Sequence, residues 1–463
     1  MLAACGGGGG AGETGALGAE AAAAAELEAA ARPKPGSPSL IKSNGNFGGG
    51  SGGNDTKTEW TWTAPTDTTS TDGTTTPTDT ALAPAPAPAP APAPESSWTP
   101  APAPAPAIAP APAPAPTWGA APTIGDCEMF PANNIFNTRI DDVSRFPSHP
   151  RSNDWVNLVG GHVPMWGDWG VTDNPASTSY WGLPVNVVDT ATAQWPVVSF
   201  NFGTSGVFHD VGYAHRSDCA VADGQGGYRI ATTCESVPPD QRRLPFAGGQ
   251  TLKQGGTCND PNFCGDSHVL VVERGACRLW ESWFTYNLSG QWYTMASAAW
   301  DLRSNAMRPY NWNAASAAGL PITPLLARAD EASTGEIRHA LSVGFRDSAL
   351  SLDKQWPARF AAGGDNPGAI PYGGLLRLKA DFVIPADWTP QAKAIATAAK
   401  RYGLYVMDIG ADFHVGGDPN AKWDPNTHAQ LRNAITMSNM EFVDLGSIMN
   451  DPRFNPDSMQ ASW

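Results

Sequence analysis

The chain is short of positive charge. Its 29 lysines and arginines face 44 aspartates and glutamates across 463 residues, a formal net charge of −15. Nucleic-acid binders need clustered cations to displace counterions from phosphate, so that class is excluded. Long apolar runs are also missing, and no segment approaches the roughly twenty residues of a membrane-crossing helix. From Cys127 onward there is no nucleophile elbow, zinc-protease helix, P-loop or dinucleotide glycine loop, which counts against lipases, zinc peptidases and nucleotide enzymes. No C-x-x-C pair occurs and no histidine stands at finger spacing, so a structural zinc site is not expected.

Large aliphatic residues are nearly absent from residues 6–125, which are built of glycine, alanine, threonine and proline. Such a segment buries too little apolar surface to offset its chain entropy and is expected to stay unfolded. Between Ala83 and Pro116 it becomes almost pure Ala-Pro, broken by Glu95-Ser96-Ser97-Trp98. Alternating proline favours extended polyproline II, and a stretch of this length reaches on the order of 100 Å if straight. The expected organisation is a semi-rigid tether over 6–125 and a single β-rich domain over 126–463.

At the very start stands Leu2-Ala3-Ala4-Cys5, followed by glycines. An aliphatic residue, two small ones and a cysteine form the processing pattern of a bacterial lipoprotein, with Cys5 as the acylated residue. Neither a basic n-region nor an apolar h-region precedes it, so the true start is expected to lie further upstream. This places the protein in the cell envelope, exported, with the lipid as its membrane contact. With Cys5 set aside, Cys127, Cys219, Cys234, Cys258, Cys264 and Cys277 remain, an even number that fits disulfides in an oxidising compartment. Six cysteines allow fifteen connectivities. The expected one joins Cys219 to Cys234, Cys258 to Cys264 and Cys127 to Cys277.

Beyond Cys127, short runs rich in Val, Phe and Trp alternate with Gly, Pro, Asn and Asp. Strands are expected at Leu183–Val188, Pro196–Phe202, His268–Glu273, Arg278–Phe284 and Gly374–Phe382. One αβ unit is well marked: Thr389 as N-cap, Pro390 at the first helical position, a helix over Gln391–Tyr402, Gly403 as its terminator and a strand over Leu404–Ile409. A shorter helix is expected at Asn313–Ala318. The fold class is mainly β, a β-sandwich or jelly-roll-like core with a few packed helices.

Polar groups converge most clearly in the run 266–283. Arg274-Gly275 reads as a two-residue turn that sets Val272 opposite Cys277, Leu270 opposite Leu279, His268 opposite Glu281 and Asp266 opposite Trp283. Alternation puts all eight residues on one face, apolar near the turn and carrying Asp266, His268, Glu281 and Trp283 at the far end. A carboxyl group beside an indole at the mouth of an apolar face suits a glycan-cleaving cleft, because burial raises its pKa until it can donate a proton. The competing reading is a strand end with a structural His–Glu pair. Asp301 is the candidate second carboxylate, or a loop-stabilising partner of Arg303. In the run 331–345, His339 falls among core positions, with Glu336 and Arg338 on the other face. Arg377 and Lys379 form a cationic pair suited to a uronate or sulfate, or an ordinary solvated strand face.

Several strings together resemble a family of uncharacterised secreted bacterial proteins. They are Phe130-Pro-Ala-Asn-Asn-Ile-Phe-Asn137, the Gly265–Glu281 hairpin, Trp300–Pro309 with Gly319-Leu-Pro-Ile, Gly335–Leu341, Arg377–Phe382 and Tyr402–Gly410. The resemblance implies one exported domain and brings no established reaction; the strings around Asp301, Glu336, His339 and Asp408 are either a site or a shared core.

Eighteen tryptophans, export and a long tether favour a carbohydrate-active domain. The first expectation is a glycoside hydrolase with Glu281 as acid, Asp301 as second carboxylate, His268 tuning Glu281 and Trp283 as sugar platform. The alternatives are a non-catalytic glycan-binding or adhesion module, and a uronate lyase using Arg377 and Lys379 with His268 or His339 as base. The expected partner is a polysaccharide or envelope glycan, and the chain is expected to be a monomer. No cofactor is expected; loop aspartates such as those near Asp365 or Asp418 are of the type that binds a structural calcium ion, but no loop motif supports one.

Overall fold

The computed structural model describes residues 120–203, 211–248 and 251–463. Cys5 and nearly all of the tether lie outside the described residues. The rest is mainly β, with several sheets and few helices, as the run lengths and turn residues predict. Ten strands build the two largest sheets: β1 (Trp166–Asp168), β2 (Val185–Asp189), β3 (Val269–Arg274), β4 (Arg278–Trp283), β5 (Ala296–Asp301), β6 (Leu341–Phe345), β7 (Leu375–Leu378), β8 (Leu404–Ile409), β9 (His414–Gly416) and β10 (Met440–Phe442). One sheet has the order β5-β4-β3-β2 and the other β10-β7-β8-β6-β9-β1.

In the four-stranded sheet, β3 and β4 pair antiparallel with Leu270 opposite Glu281, Val272 opposite Leu279 and Glu273 opposite Arg278. This corrects the expected register by two residues. The connection runs through Arg274–Cys277 rather than a two-residue turn, with Gly275 at φ 88° and Cys277 at φ 50°. A slip of two keeps every side chain on its face, whereas a slip of one would have inverted the hairpin. Leu270, Val272, Leu279 and Trp283 therefore do share one face, which enters the main core. The opposite face is apolar as well. Val269, Val271 and Trp280 pack with Phe246 and Trp292 in a second cluster, so this sheet is buried on both sides.

The αβ unit forms as its capping residues predict. Helix α1 (Pro390–Arg401) begins at Thr389, whose hydroxyl accepts from the Ala392 N–H at 3.1 Å. Its alanines Ala392, Ala396 and Ala399 are fully buried. Gly403 ends it at φ 80°, where a Cβ would lie 2.7 Å from the Leu376 carbonyl oxygen. Strand β8 follows and runs parallel to β6.

The helix expected at Asn313–Ala318 is absent; the segment is a turn-rich loop. Its hydrogen bonds go elsewhere. The Ala318 N–H donates to the Met407 carbonyl at 2.9 Å, and the Ser316 hydroxyl donates to the Leu320 carbonyl and accepts the Leu320 N–H.

All three expected disulfides form: Cys127–Cys277, Cys219–Cys234 and Cys258–Cys264. They mark a domain that folds in an oxidising, exported environment. No helix among the described residues is long and apolar enough to cross a membrane.

Candidate functional site

Strands β6 and β8 are parallel neighbours, and both deliver aspartates at their carboxyl ends. Asp347 follows β6, and Asp408 is the penultimate residue of β8. The ends of parallel strands are where such sheets leave a crevice. Here the crevice meets the open end of the β3–β4 hairpin, where Asp266 precedes β3 and Trp283 closes β4. The result is a cavity of about 430 Å³, lined among others by Asp266, Asp347, Asp365, Asp408, His268 and Trp283. The loop that replaced the expected helix forms another wall, from Asn313 to Ala317. Gly363 and Gly364 complete it; a Cβ on Gly363 would lie 2.6 Å from Ile409 Cδ1 and 2.8 Å from Asp347 Oδ1.

Two of these carboxyl groups are electrostatically linked. Burial lifts the pKa of Asp408 to about 7, the negative charge of Asp266 adds to the rise, and the Ile409 and Ala317 N–H groups oppose it. Asp266 accepts at Oδ1 from the Trp283 indole N–H at 3.0 Å. Burial raises the pKa of the Tyr372 phenol, the charges of Asp408 and Asp347 add to the rise, and its hydroxyl has no partner among the described residues.

Of the residues selected from sequence, Asp266, His268 and Trp283 meet at this cavity. Trp283 is only 6 % exposed, so it anchors Asp266 rather than presenting a ring face to a sugar. His268 is held at both ring nitrogens, 2.7 Å from Gln254 Oε1 and 2.9 Å from the Ala315 carbonyl, and burial lowers its pKa. It is a strut between the hairpin and the cavity wall, and neither of these two ring bonds goes to Glu281.

Glu281 does not line the cavity. It points into the main core, where its carboxylate accepts from the Ile322 N–H, the Thr323 N–H and the Thr323 hydroxyl at 2.8–3.0 Å. Burial lifts its pKa to about 7 against the pull of these hydrogen bonds, in a structural setting. Asp301 is exposed at the turn end of β5, opposite Arg278, and accepts the Arg303 N–H at 3.0 Å. Arg278 and Glu281 lie three positions apart on β4 and so point to opposite faces, and the expected Glu281–Asp301 pair does not assemble.

The cationic strand face is not solvated at Arg377. Its side chain is 3 % exposed, paired with Glu441 and bonded to the Ile140 and Phe146 carbonyls, while half-buried Lys379 donates to the Ser438 carbonyl at 2.8 Å. Neither lines the cavity. His339 bonds to the Ala340 carbonyl and to Glu331, a core role. Glu336 lies on the surface near Arg401. Among the described residues no three acidic, histidine or cysteine side chains gather into a metal-holding group. Asp365 borders the cavity, whereas Asp418 accepts from the Ala329 N–H and Asn420.

Asp347 and the cavity role of Asp408 were not singled out by sequence. Their one local signal is position, just past or at the end of a strand that reads as core. No family model, curated protein or solved structure matches the chain, so the chemistry of this cavity rests on its geometry.

Proposed function

We propose that the chain is a lipid-anchored envelope glycoside hydrolase whose carboxylate pair is Asp408 and Asp266. The observation that carries this is the coupling of two carboxyl groups in one cavity, with Asp408 held near neutral pKa by burial and by its neighbour's charge. A carboxyl group that keeps its proton near pH 7 is what a leaving sugar oxygen requires, and its ionised neighbour is what an oxocarbenium-like centre requires.

In this reading Asp408 gives its proton to the glycosidic oxygen as the bond from that oxygen to the anomeric carbon breaks, the electron pair leaving with oxygen. Asp266, oriented by Trp283, stabilises the positive charge that develops. Water supplies a hydroxyl group to the anomeric carbon, and its remaining proton returns to the carboxyl pair. Cys5 and the Ala-Pro stretch act as anchor and spacer. The lyase alternative loses its support, since Arg377 is consumed by Glu441 and neither cation reaches the cavity.

The test is incubation of the chain with a polysaccharide panel, following new reducing ends and ultraviolet absorbance together, beside Asp408→Asn and Asp266→Asn. Reducing ends that fall at least a hundred-fold in both variants support the proposal, since positioned acids and bases contribute about 10²–10⁴. Ultraviolet-absorbing ends indicate elimination, and retention on a glycan without products indicates a binding module; either result removes the hydrolase.

A further inference from the structure

We infer that the cavity continues onto a second sugar subsite at the ring of Tyr310, so that the substrate is an extended polymer gripped through at least two consecutive rings. The inference rests on the glycan reading of the cavity and adds the length of chain it holds. Most aromatic side chains of the domain are spent in its core, whereas Tyr310 is 54 % exposed. It borders the cavity by three separate routes. It stands three residues before Asn313, which lines the cavity. The guanidinium of Arg359, next to the lining residue Phe360, lies 5.3 Å from the centre of its ring. The Lys354 ammonium lies 5.1 Å from the same centre, and the strand Leu350–Lys354 places it two positions beyond Leu352, another lining residue. Alternation sets Leu352 and Lys354 on one face of that strand, about 7 Å apart, close to the length of one pyranose ring. Leu352 is itself 45 % exposed, so an apolar step leads from the cavity to the tyrosine.

The ring is also held in place. The turn Pro309–Trp312 is closed by the Trp312 N–H on the Pro309 carbonyl at 3.2 Å, and its Asn311 N–H donates to the Arg359 carbonyl at 2.8 Å. Buried Arg308 braces the base of the turn, donating to the Arg216 and Asn313 carbonyls and pairing with Asp218. The Arg359 guanidinium is bonded to the Arg308 and Pro456 carbonyls and to Asp457, so it backs the tyrosine as a fixed support. A platform fixed before binding loses little freedom when a ligand arrives. The C–H face of a sugar packs on such a ring, and the Lys354 ammonium offers donors to the hydroxyl groups at its edge. An exposed tyrosine by itself is an ordinary surface residue. Continuity with the cavity makes this one a subsite.

The experiment is ligand-observed NMR titration of the full chain, disulfides formed, with the monosaccharide, disaccharide and hexasaccharide of β-linked glucose and of β-linked N-acetylglucosamine. The titrations use Asp408→Asn so that oligomers stay intact, and reducing ends are followed with the native chain. In the series that binds, the hexasaccharide is expected to bind at least ten-fold more tightly than the monosaccharide. Adding Tyr310→Ala should remove about ten-fold, the contribution of one aromatic contact, and leave the monosaccharide unchanged. Tyr310→Phe keeps the ring and should retain the gain. Lys354→Met keeps the stem and should weaken the hexasaccharide several-fold.

A hexasaccharide bound no better than the monosaccharide, a gain that survives Tyr310→Ala, or equal loss in both Tyr310 variants would overturn the inference. So would tighter binding by Lys354→Met, which would give the ring face to the ammonium, or no binding in either series. Length-dependent binding through Tyr310 with no new reducing ends would uphold it and remove the hydrolase. Cleavage that does not depend on Tyr310 would do the reverse.

Discussion

The indole N–H of Trp283 donates to Asp266 Oδ1 at 3.0 Å, joining the last residue of β4 to the residue that leads into β3. A hydrogen bond to a carboxylate contributes about 1.5–3 kcal/mol, and here it fixes which way an acid faces the cavity. Trp283→Phe keeps the bulk and removes the donor. On the best glycan substrate kcat should fall about ten- to a hundred-fold, the same energy expressed as rate, with KM little changed. Unaltered kcat would show that Asp266 needs no such anchor.

Glu281 separates a structural carboxyl group from a catalytic one. Glu281→Gln preserves one acceptor oxygen but turns an amide toward N–H groups of the Ile322–Thr323 segment. An unsatisfied buried donor costs about 1–3 kcal/mol. The variant should therefore melt several degrees lower yet turn over normally per folded molecule. Loss of turnover at full stability would return Glu281 to the catalytic role expected from sequence.

The pH dependence of stability has a stated sign. Asp408 and Glu281 both have folded pKa values raised to about 7, above their unfolded values. Their stabilising contribution is complete below about pH 4 and is lost as pH rises through 7. His428 acts in the other direction. It packs against Trp169 with no partner for Nε2 among the described residues, and desolvation lowers its pKa to about 4, so its contribution is complete above about pH 6.5 and is lost as pH falls toward 4. Asp408→Asn should raise Tm at pH 8, by on the order of 2–4 kcal/mol of stability, and leave it nearly unchanged at pH 4. Parallel melting curves for the two proteins from pH 4 to 9 would contradict the burial of this charge.

The disulfides should differ in weight according to the loops they close. Cys127–Cys277 spans 150 residues and Cys258–Cys264 spans 6. Chain-entropy arguments assign them about 5 and about 2 kcal/mol. Replacing each pair by serines, with denaturant midpoints as the readout, should therefore lower stability more for the long-range bridge. The reverse order would mean that the unfolded chain already holds Cys127 near Cys277.

Much of the fold follows from neighbours in the chain. Thr389, Pro390 and Gly403 delimit helix α1 through contacts within a few residues, and alternation in 269–283 assigns each side chain to its face whatever the turn length. These are short-range effects of backbone geometry, and a single chain displays them. The register of the same hairpin was decided elsewhere, in a wider turn where Cys277 takes a left-handed conformation and bonds to Cys127.

The site divides the same way. Asp266 and Trp283 were legible because one hairpin carries both. Asp408 and Asp347 were not, because their meaning comes from β6 and β8 lying parallel and opening onto that hairpin from another sheet. Glu281 and His268 sit close along the hairpin, yet loops 313–323 reach over and claim each one separately. Alternation says which face a residue occupies. Only the packing of distant segments decides whether that face meets a core, a cavity or another acid.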